Sequence, residues 1–517
     1  MSQNDNAAVH FVDRHVAEGR GDRPAFIEAD GRRRRLTYGQ LQTEAGRFAG
    51  ALYRHGVRRE ERIAMIVRDQ IEFPVAFWGA LKAGAIPVPL NTLLSASVYE
   101  AILADSRASI LVVSQQLWEV VKPAIDDNRH LRAVLVIGAE DGATAPEGTE
   151  SWADFVEGAP VEPTVEAHGD ELAFWLYSSG STGTPKGVRH VHASLKATAD
   201  TFGAQVLGIC QDDVVFSVAK MFFAYGLGNA MSFPMSVGAT TVIFGGRPTP
   251  DAVFDIMARD RPTIFCGVPT LFAALVAEQE KRGGAPDHAI RLCTSAGEAL
   301  PREVGERWER LWGCEIVDGV GSTEMLHIFL SNRPGDIVYG SSGRAVPGYE
   351  LRLVDEHDEE VAEGEVGELL VRGPSSAEGY WNRRHKSMST FEGHWTRTGD
   401  KYERDGQGRY VYCGRTDDMF KVSGIWVSPF EVEQALVEHP AVLEAAVVAR
   451  PDAEDLVKPA AFIVVKDGMP VPSEQELRDM VKDKIGMWKY PRWITVVEDL
   501  PKTATGKIQR FKLRGPA

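Results

Sequence analysis

The sequence predicts an α/β protein: a large N-terminal domain of α/β sheets with a small β-rich subdomain, then a small α+β C-terminal domain. Three observations predict it. Short apolar runs alternate with helix-period segments over the first two thirds of the chain, as parallel sheets require. After Gly340 the pattern changes to short alternating strands. Beyond Arg415 capped helices are interleaved with apolar strands. With 517 residues the chain is also too long for one hydrophobic core.

The elements follow in order. Pro24–Ala29 and the run from Arg32 to Thr37 read as a hairpin around an Asp30-Gly31 turn. Arg32 to Arg35 either form a solvated strand or attract phosphate. Thr37-Tyr-Gly-Gln40 is a capping box that opens a helix with Leu41, Ala45, Phe48, Ala49 and Leu52 on one face, ending at Gly56. Arg62–Val67, Ile86–Leu90, Ser109–Val113 and Ala133–Ile137 read as strands, and Phe77–Ala83 as helix. Gly138–Gly169, rich in Gly, Pro and Glu, reads as a loop-rich connection. Glu350–Asp355, Gly367–Arg372 and Arg409–Tyr412 are the short alternating strands of the subdomain. Ser428-Pro-Phe-Glu431 and Ser473-Glu-Gln-Glu476 cap two helices, and Val442–Val448 and Ala460–Val465 are strands between them. The expected domains are 1–414 and 415–517.

Composition narrows the function classes. A net charge of −16 argues against nucleic acid or an anionic membrane as the main partner. Five scattered cysteines without a Cys-x-x-Cys suggest a reducing compartment, with no disulfide framework and no zinc site. No signal peptide and no apolar run of membrane-spanning length is indicated, so the expected location is cytoplasmic.

The most informative stretch runs from Tyr177 to Gly187. A central apolar strand, Glu171–Tyr177, ends in Ser178-Ser-Gly-Ser181-Thr182-Gly-Thr-Pro-Lys186. Such a loop offers backbone N–H groups, hydroxyls and one cation, the groups that hold polyphosphate. A Ser/Gly-rich surface turn is the alternative, but it does not need so long a run of donors after a buried strand. The common phosphate loop is excluded, because Pro185 precedes Lys186 and Gly187-Val188 follows it. No Gly-x-Gly-x-x-Gly occurs. The Ser178–Ser181 hydroxyls have no assigned base and the cysteines no partner, so a nucleophilic triad is not indicated either.

Four further segments accompany the loop: Gly319-Val-Gly-Ser-Thr323-Glu324, Thr398-Gly399-Asp400, Gly414-Arg415-Thr-Asp417-Asp418-Met-Phe-Lys421-Val-Ser423-Gly424 and Pro501-Lys-Thr-Ala-Thr-Gly506-Lys507. In this order and spacing, from about Pro24 to Lys512, the chain resembles the adenylate-forming superfamily of acyl-CoA synthetases, peptide-synthetase adenylation domains and luciferases. Lys220-Met-Phe-Phe-Ala-Tyr-Gly-Leu-Gly-Asn229, Ser322–Asn332 and Lys421–Pro429 make it most similar to benzoate-CoA ligases and related aryl-CoA ligases.

The resemblance implies roles. Ser178, Ser181, Thr182 and Lys186 would wrap the β- and γ-phosphates of ATP, Thr323 would bond the α-phosphate, and Glu324 would bind Mg²⁺. Gly297, Glu298, Asp318 and Gly319 fall at the adenine slot, although Ser295-Ala-Gly-Glu298 also reads as a plain strand-to-helix turn. Asp400 would accept from the ribose hydroxyls with help from Arg415. Lys507 would act at the substrate carboxylate and the α-phosphate. Asp417 matches the hinge about which a mobile C-terminal domain rotates, bringing Lys421, Ser423 and Gly424 beside the CoA thiol channel.

Phe222, Phe223, Ala224 and Tyr225, with His327 and Ile328, would form a flat apolar slot for a ring. Core aromatics and a satisfied core histidine are the competing readings. The resemblance thus implies an ATP- and Mg²⁺-dependent ligase that joins an aromatic acid, benzoate first, to CoA through an aryl-AMP intermediate and releases AMP and pyrophosphate. The alternatives are a hydroxy-, amino- or halobenzoate ligase, or a stand-alone adenylation enzyme that loads a carrier protein. The partners are the small acid, ATP and CoA, with no nucleic acid or membrane; a homodimer is admitted.

Overall fold

The structure is a computed structural model that describes residues 4–126, 128–138, 145–179, 185–284, 287–416, 418–422, 425–452, 454, 456–487, 489–502 and 508–514. It divides into two compact units, Met1–Glu350 with Val371–Thr396, and Leu351–Leu370 with Arg397–Ala517.

The first unit is built on two large sheets. One runs, edge to edge, through Arg344–Ala345, Ile328–Ser331, Ile316–Gly321, Leu292–Ser295, Ile264–Gly267, Val214–Ser217, Thr240–Ile243, Pro24–Glu28 and Arg35–Thr37. Its middle is parallel and its edges antiparallel. The other, Ile86–Pro89, Arg62–Ile66, Ile110–Ser114, Ala133–Ile137 and Glu150–Ser151, is parallel throughout. Strands covered on both faces cannot alternate, which is why Ile110–Ser114 is buried at every position. Phe216, Phe265, Phe272, Trp308 and Trp312 pack a core on the first sheet, and Ile66, Val88, Leu111, Val113 and Trp175 pack one on the second.

Local signals act as expected at Thr37. Its hydroxyl accepts from Gln40 N, the Gln40 side chain accepts from Thr37 N, and the helix Tyr38–Arg54 buries Leu41, Ala45, Phe48, Ala49 and Leu52. Four readings change. The helix containing Phe77 begins at Glu72, with Pro74 tolerated in its first turn, where no N–H is needed. The connection after Gly138 holds a strand, Glu150–Ser151, and a helix, Trp152–Val156, capped by Ser151. Arg34 lies just before the strand Arg35–Thr37 and, although exposed, is paired: it forks across Glu28 and Glu72, and Arg33 pairs with Asp260. Finally, the strand before the Ser/Thr/Gly loop is not a central strand. Leu172–Ser179 pairs antiparallel with Pro185–Val191 in a two-stranded sheet.

In the second unit, Val442–Pro451 pairs antiparallel with Val457–Val465, which pairs parallel with Trp493–Val496. Ser428 and Ser473 accept from Glu431 N and Glu476 N, both at 3.2 Å, and cap the helices Pro429–Val437 and Glu474–Ile485. Val432, Leu436, Val447, Ile463, Leu477 and Val481 form its core.

Candidate active site

The hairpin register sets Ser178 opposite Lys186. Ser181 and Thr182 lie outside the described residues. The Ser178 hydroxyl is buried with no hydrogen-bond partner among the described residues. The Lys186 ammonium stands 4.7 Å from the centre of the Tyr380 ring, and Tyr380 Oη donates to Glu324 Oε1 at 2.8 Å. Three chain segments are thereby brought together. The backbone holds them: Tyr380 bridges Val188, Trp381 N donates to Gly187 O at 2.8 Å, and Ala377 N donates to Glu324 O at 2.9 Å.

His190 fixes the fourth side. It is fully buried, and burial lowers its pKa to about 4, so the ring is neutral at pH 7. Nε2 lies 2.8 Å from Thr323 O, a carbonyl that needs a donor. The proton therefore sits on Nε2, and the hairpin grips Thr323 and Glu324 through that bond. Neither His190 nor Tyr380 stood out in the sequence. For His190 the signal was an imidazole in a strand of buried positions; for Tyr380, which comes from a distant segment, there was none.

At the position expected for adenine, Ser295 and Asp318 face each other on neighbouring parallel strands. Asp318 is buried, which pushes its carboxyl up to about 8, and Oδ1 has no hydrogen-bond partner among the described residues. A buried orphan of this kind suits a ligand donor such as an exocyclic amine. A side chain at Gly319 would strike Ile328 Cγ2 at 2.8 Å, which packs this strand closely against Ile328, a residue expected in the acid slot. Gly297 has φ +99° with open space where a Cβ would stand, and it and Glu298 are exposed on the turn that follows Ser295.

Among the residues expected to form the acid slot, Phe222 and Phe223 lie with ring centres 4.5 Å apart, and Phe223 precedes the short helix Ala224–Leu227. Tyr225 Oη donates to Thr294 O at 2.9 Å and Gly267 O at 3.2 Å, so its hydroxyl is held by strand-end carbonyls. His327 is buried among Phe202, Tyr225 and Phe233, with ring centres 5.3, 5.6 and 4.5 Å away. Burial lowers its pKa to about 3. Its Nε2 lies 3.3 Å from Tyr225 O, so Nε2 again carries the proton, and Nδ1 is a buried acceptor with no partner among the described residues. A Cβ on Gly228 would sit 2.4 Å from His327 Cδ2; only glycine allows this approach.

In the second unit, Asp400 and Arg415 are cross-strand partners. Arg415 Nη1 donates to Asp400 Oδ1 at 2.9 Å and to Thr398 O at 3.0 Å. Gly399 has φ +72°, and a Cβ there would meet Arg415 Nη2 at 2.8 Å. Lys421 pairs with Trp426 in a short hairpin. Asp417, Ser423, Gly424 and Lys507 lie outside the described residues. Arg510 bridges Glu433 and Asp418, and Arg514 also reaches Asp418.

Comparison with known proteins gives a consistent result. The AMP-binding enzyme family matches residues 13–381, and the AMP-binding enzyme C-terminal domain matches residues 431–507. A 4-hydroxybenzoate–CoA/benzoate–CoA ligase of Rhodopseudomonas palustris is 51% identical over 98% of this chain and 94% of its own. A benzoate–CoA ligase of Thauera aromatica is 50% identical over 98% of this chain and 95% of its own. Among solved structures, a benzoate CoA ligase from Burkholderia xenovorans LB400 superposes with a TM-score of 0.88 at 48% identity, over 98% of this chain and 99% of that one.

Proposed function

We propose that this chain, which belongs to the AMP-binding enzyme family, is an ATP-dependent aryl acid–CoA ligase with benzoate as its first substrate. One observation carries the chemistry: Lys186, Tyr380 and Glu324 meet at the end of the donor-rich hairpin. An acid carboxylate is a poor acyl donor because its oxygen will not leave. Its attack on the α-phosphorus of ATP forms a new O–P bond as the bond to pyrophosphate breaks. The CoA thiol, losing its proton, then attacks the acyl carbon; the thioester forms and AMP departs.

The residues divide this work. Ser178, Ser181, Thr182 and Lys186 hold the β- and γ-phosphates, and Thr323 bonds the α-phosphate. Asp318 with Gly297, Glu298 and Gly319 receives the adenine, and Asp400 with Arg415 the ribose. Phe222, Phe223, Ala224, Tyr225, His327 and Ile328 line the ring slot. Lys507 acts where charge concentrates at the α-phosphate and carboxylate. Among the described residues no group of three metal-ligating side chains lies together. Glu324 offers one carboxylate, which fits Mg²⁺, an ion that takes its remaining oxygens from phosphate and water and would neutralise phosphate charge. In this reading the segment 415–517 is the mobile domain, Asp417 its hinge, and Lys421, Ser423 and Gly424 meet CoA. The enzyme works in the cytoplasm, where ATP and CoA are abundant.

A panel of benzoate, hydroxybenzoates, aminobenzoates and halobenzoates, assayed for AMP release and for thioester by mass spectrometry with and without CoA, tests the reading. Benzoyl-CoA as the favoured product is expected, with 4-hydroxybenzoate next. A tight acyl-AMP that ignores CoA would instead identify a carrier-loading enzyme. Lys507→Ala is expected to abolish most adenylation while ATP binding persists.

A further inference from the structure

Three strand ends of the first unit converge on a polar knot that none of the roles above uses. Arg62–Ile66 leads to Arg68 and Asp69, Val214–Ser217 leads to Lys220, and Thr240–Ile243 leads to the turn Phe244-Gly245-Gly246. The Lys220 ammonium donates to Phe244 O and, at 3.0 Å, to Gly246 O. Arg68 grips Gly245 O from the other side, at 2.7 and 3.1 Å. Asp69, 2% exposed, accepts the Met221 N–H at 3.1 Å. The backbone of Lys220 is held as tightly as its side chain. Its carbonyl accepts from Phe223 N at 3.0 Å, and a Cβ on Gly226 would stand 2.0 Å from that oxygen.

The segment from Met221 to Tyr225 therefore starts from a fixed point. Asp69 holds its first N–H, and Lys220 ties its origin to the edge of a neighbouring turn. An ordinary loop of Phe, Phe, Ala and Tyr would be free to settle on any apolar surface. Here directional bonds from a second sheet decide where the two phenyl rings and Tyr225 stand. The charged groups that face one another are Asp69, Lys220, Arg68 and Asp30. Burial pushes the Asp69 carboxyl up to about 6 against the pull of Lys220, so it is mainly ionised at pH 7. Burial likewise lowers the pKa of Lys220, with Asp69 opposing.

We propose that Asp69 and Lys220 are positioning residues for the aromatic acid, fixing the Met221–Tyr225 wall of the ring slot without touching the substrate. This rests on the aryl acid–CoA ligase reading above. The experiment is steady-state kinetics on the full chain, with KM measured separately for benzoate and for ATP. Lys220→Met keeps the length of the side chain and removes its cation. It is expected to raise the benzoate KM about tenfold or more while the ATP KM stays within about twofold, a loss of ground-state binding confined to one substrate. Asp69→Asn is expected to shift the same constant in the same direction. Lys220→Arg keeps a cation that can reach both carbonyls and should restore the benzoate KM to within about threefold of the parent.

A benzoate KM that does not move, or benzoate and ATP constants that rise together as the melting temperature falls, overturns the proposal. If Lys220→Met does not fold, the Asp69→Asn/Lys220→Met double variant, which leaves no lone buried charge, is judged by the same two constants. A parent enzyme that makes no aryl-CoA from any acid of the panel defeats the ligase reading instead, and the two failures are told apart by the parent alone.

Discussion

Two buried neutral histidines hold the two halves of the first unit's candidate site, and they do so differently. His190 donates to Thr323 O at 2.8 Å and stacks on Phe174, with ring centres 5.2 Å apart. The side chains it supports, Glu324 and Lys186, are polar and only partly buried. His327 donates to Tyr225 O at a longer 3.3 Å and is wedged among three aromatic rings and Gly228. On the side proposed for phosphate the backbone is the scaffold and the side chains would act by charge. On the side proposed for the acid the side chains are the scaffold and would act by shape. Removing a charge should therefore damage the first region without repacking it, whereas adding one methyl group should damage the second.

Glu324→Gln is the strongest test of the charge side. It keeps the size of the side chain and an oxygen for Tyr380, and loses the anion. We expect kcat to fall about 10²- to 10³-fold, the usual loss when one preorganised electrostatic contact is removed, with the melting temperature unchanged. Pyrophosphate release at saturating ATP and acid reads it; activity within about fivefold of the parent would mean that charge at this position is not what the site uses. Gly228→Ala is the matching test of the shape side. The new methyl group would stand 2.4 Å from His327 Cδ2 and 2.9 Å from Phe233 Cζ. Overpacking of this kind costs about 1–3 kcal/mol, so the benzoate KM should rise roughly 10- to 100-fold while the ATP KM holds. A benzoate KM that stays put would show that the ring wall yields.

The same contrast explains what could be read in advance. The sheets, the capped helices at Thr37, Ser428 and Ser473, and the donor-rich loop were legible because each depends on neighbours a few residues away. The hairpin reads as a central strand in the sequence because Leu172–Tyr177 is apolar enough for either, and pairing is not written in one strand. Tyr380 could not be found, because its link to Glu324 crosses 56 residues. The slot residues were named, but their geometry was not. Tyr225 spends its hydroxyl on Thr294 and Gly267, and His327 spends one nitrogen on the Tyr225 carbonyl, bonds set by sheet order rather than by spacing.

Acid should loosen both halves together, which is a milder perturbation than either substitution near neutral pH. His15, His190, His192 and His327 are buried, with pKa values lowered to about 4, 4, 4 and 3 from 6.5. A base whose folded pKa is depressed adds stability that is complete above its unfolded pKa and is lost as pH falls toward the folded one. Each contributes up to about 1.4 kcal/mol of loss per pH unit below 6.5. Asp69 and Asp318 act in the opposite sense, since their folded pKa values, about 6 and about 8, exceed 3.8. With His10, whose pKa burial also lowers to about 4, five groups oppose two, so melting temperature should fall steadily from pH 6.5 to pH 4.5. A flat profile over that window would contradict neutral buried histidines in both regions.

Tyr380→Phe is the smallest and the most discriminating change. The ring remains, so Lys186 keeps its aromatic partner at 4.7 Å, while the 2.8 Å bond to Glu324 is lost. If the phosphate side works by charge held on a rigid backbone, Ala377 and His190 still fix residues 323 and 324 through their main-chain oxygens. The side chain of Glu324 then loses direction but not charge. One such hydrogen bond to an ionised group is worth about 1.5–3 kcal/mol at most, and near 1 kcal/mol where water can replace it, so kcat/KM should fall about 5- to 10-fold. Glu324→Gln in the Tyr380→Phe background should then add less than it does alone, because both changes act on one carboxylate. Additive losses would mean that the hydroxyl serves the substrate directly, and the division between a charge side and a shape side would have to be redrawn at Tyr380.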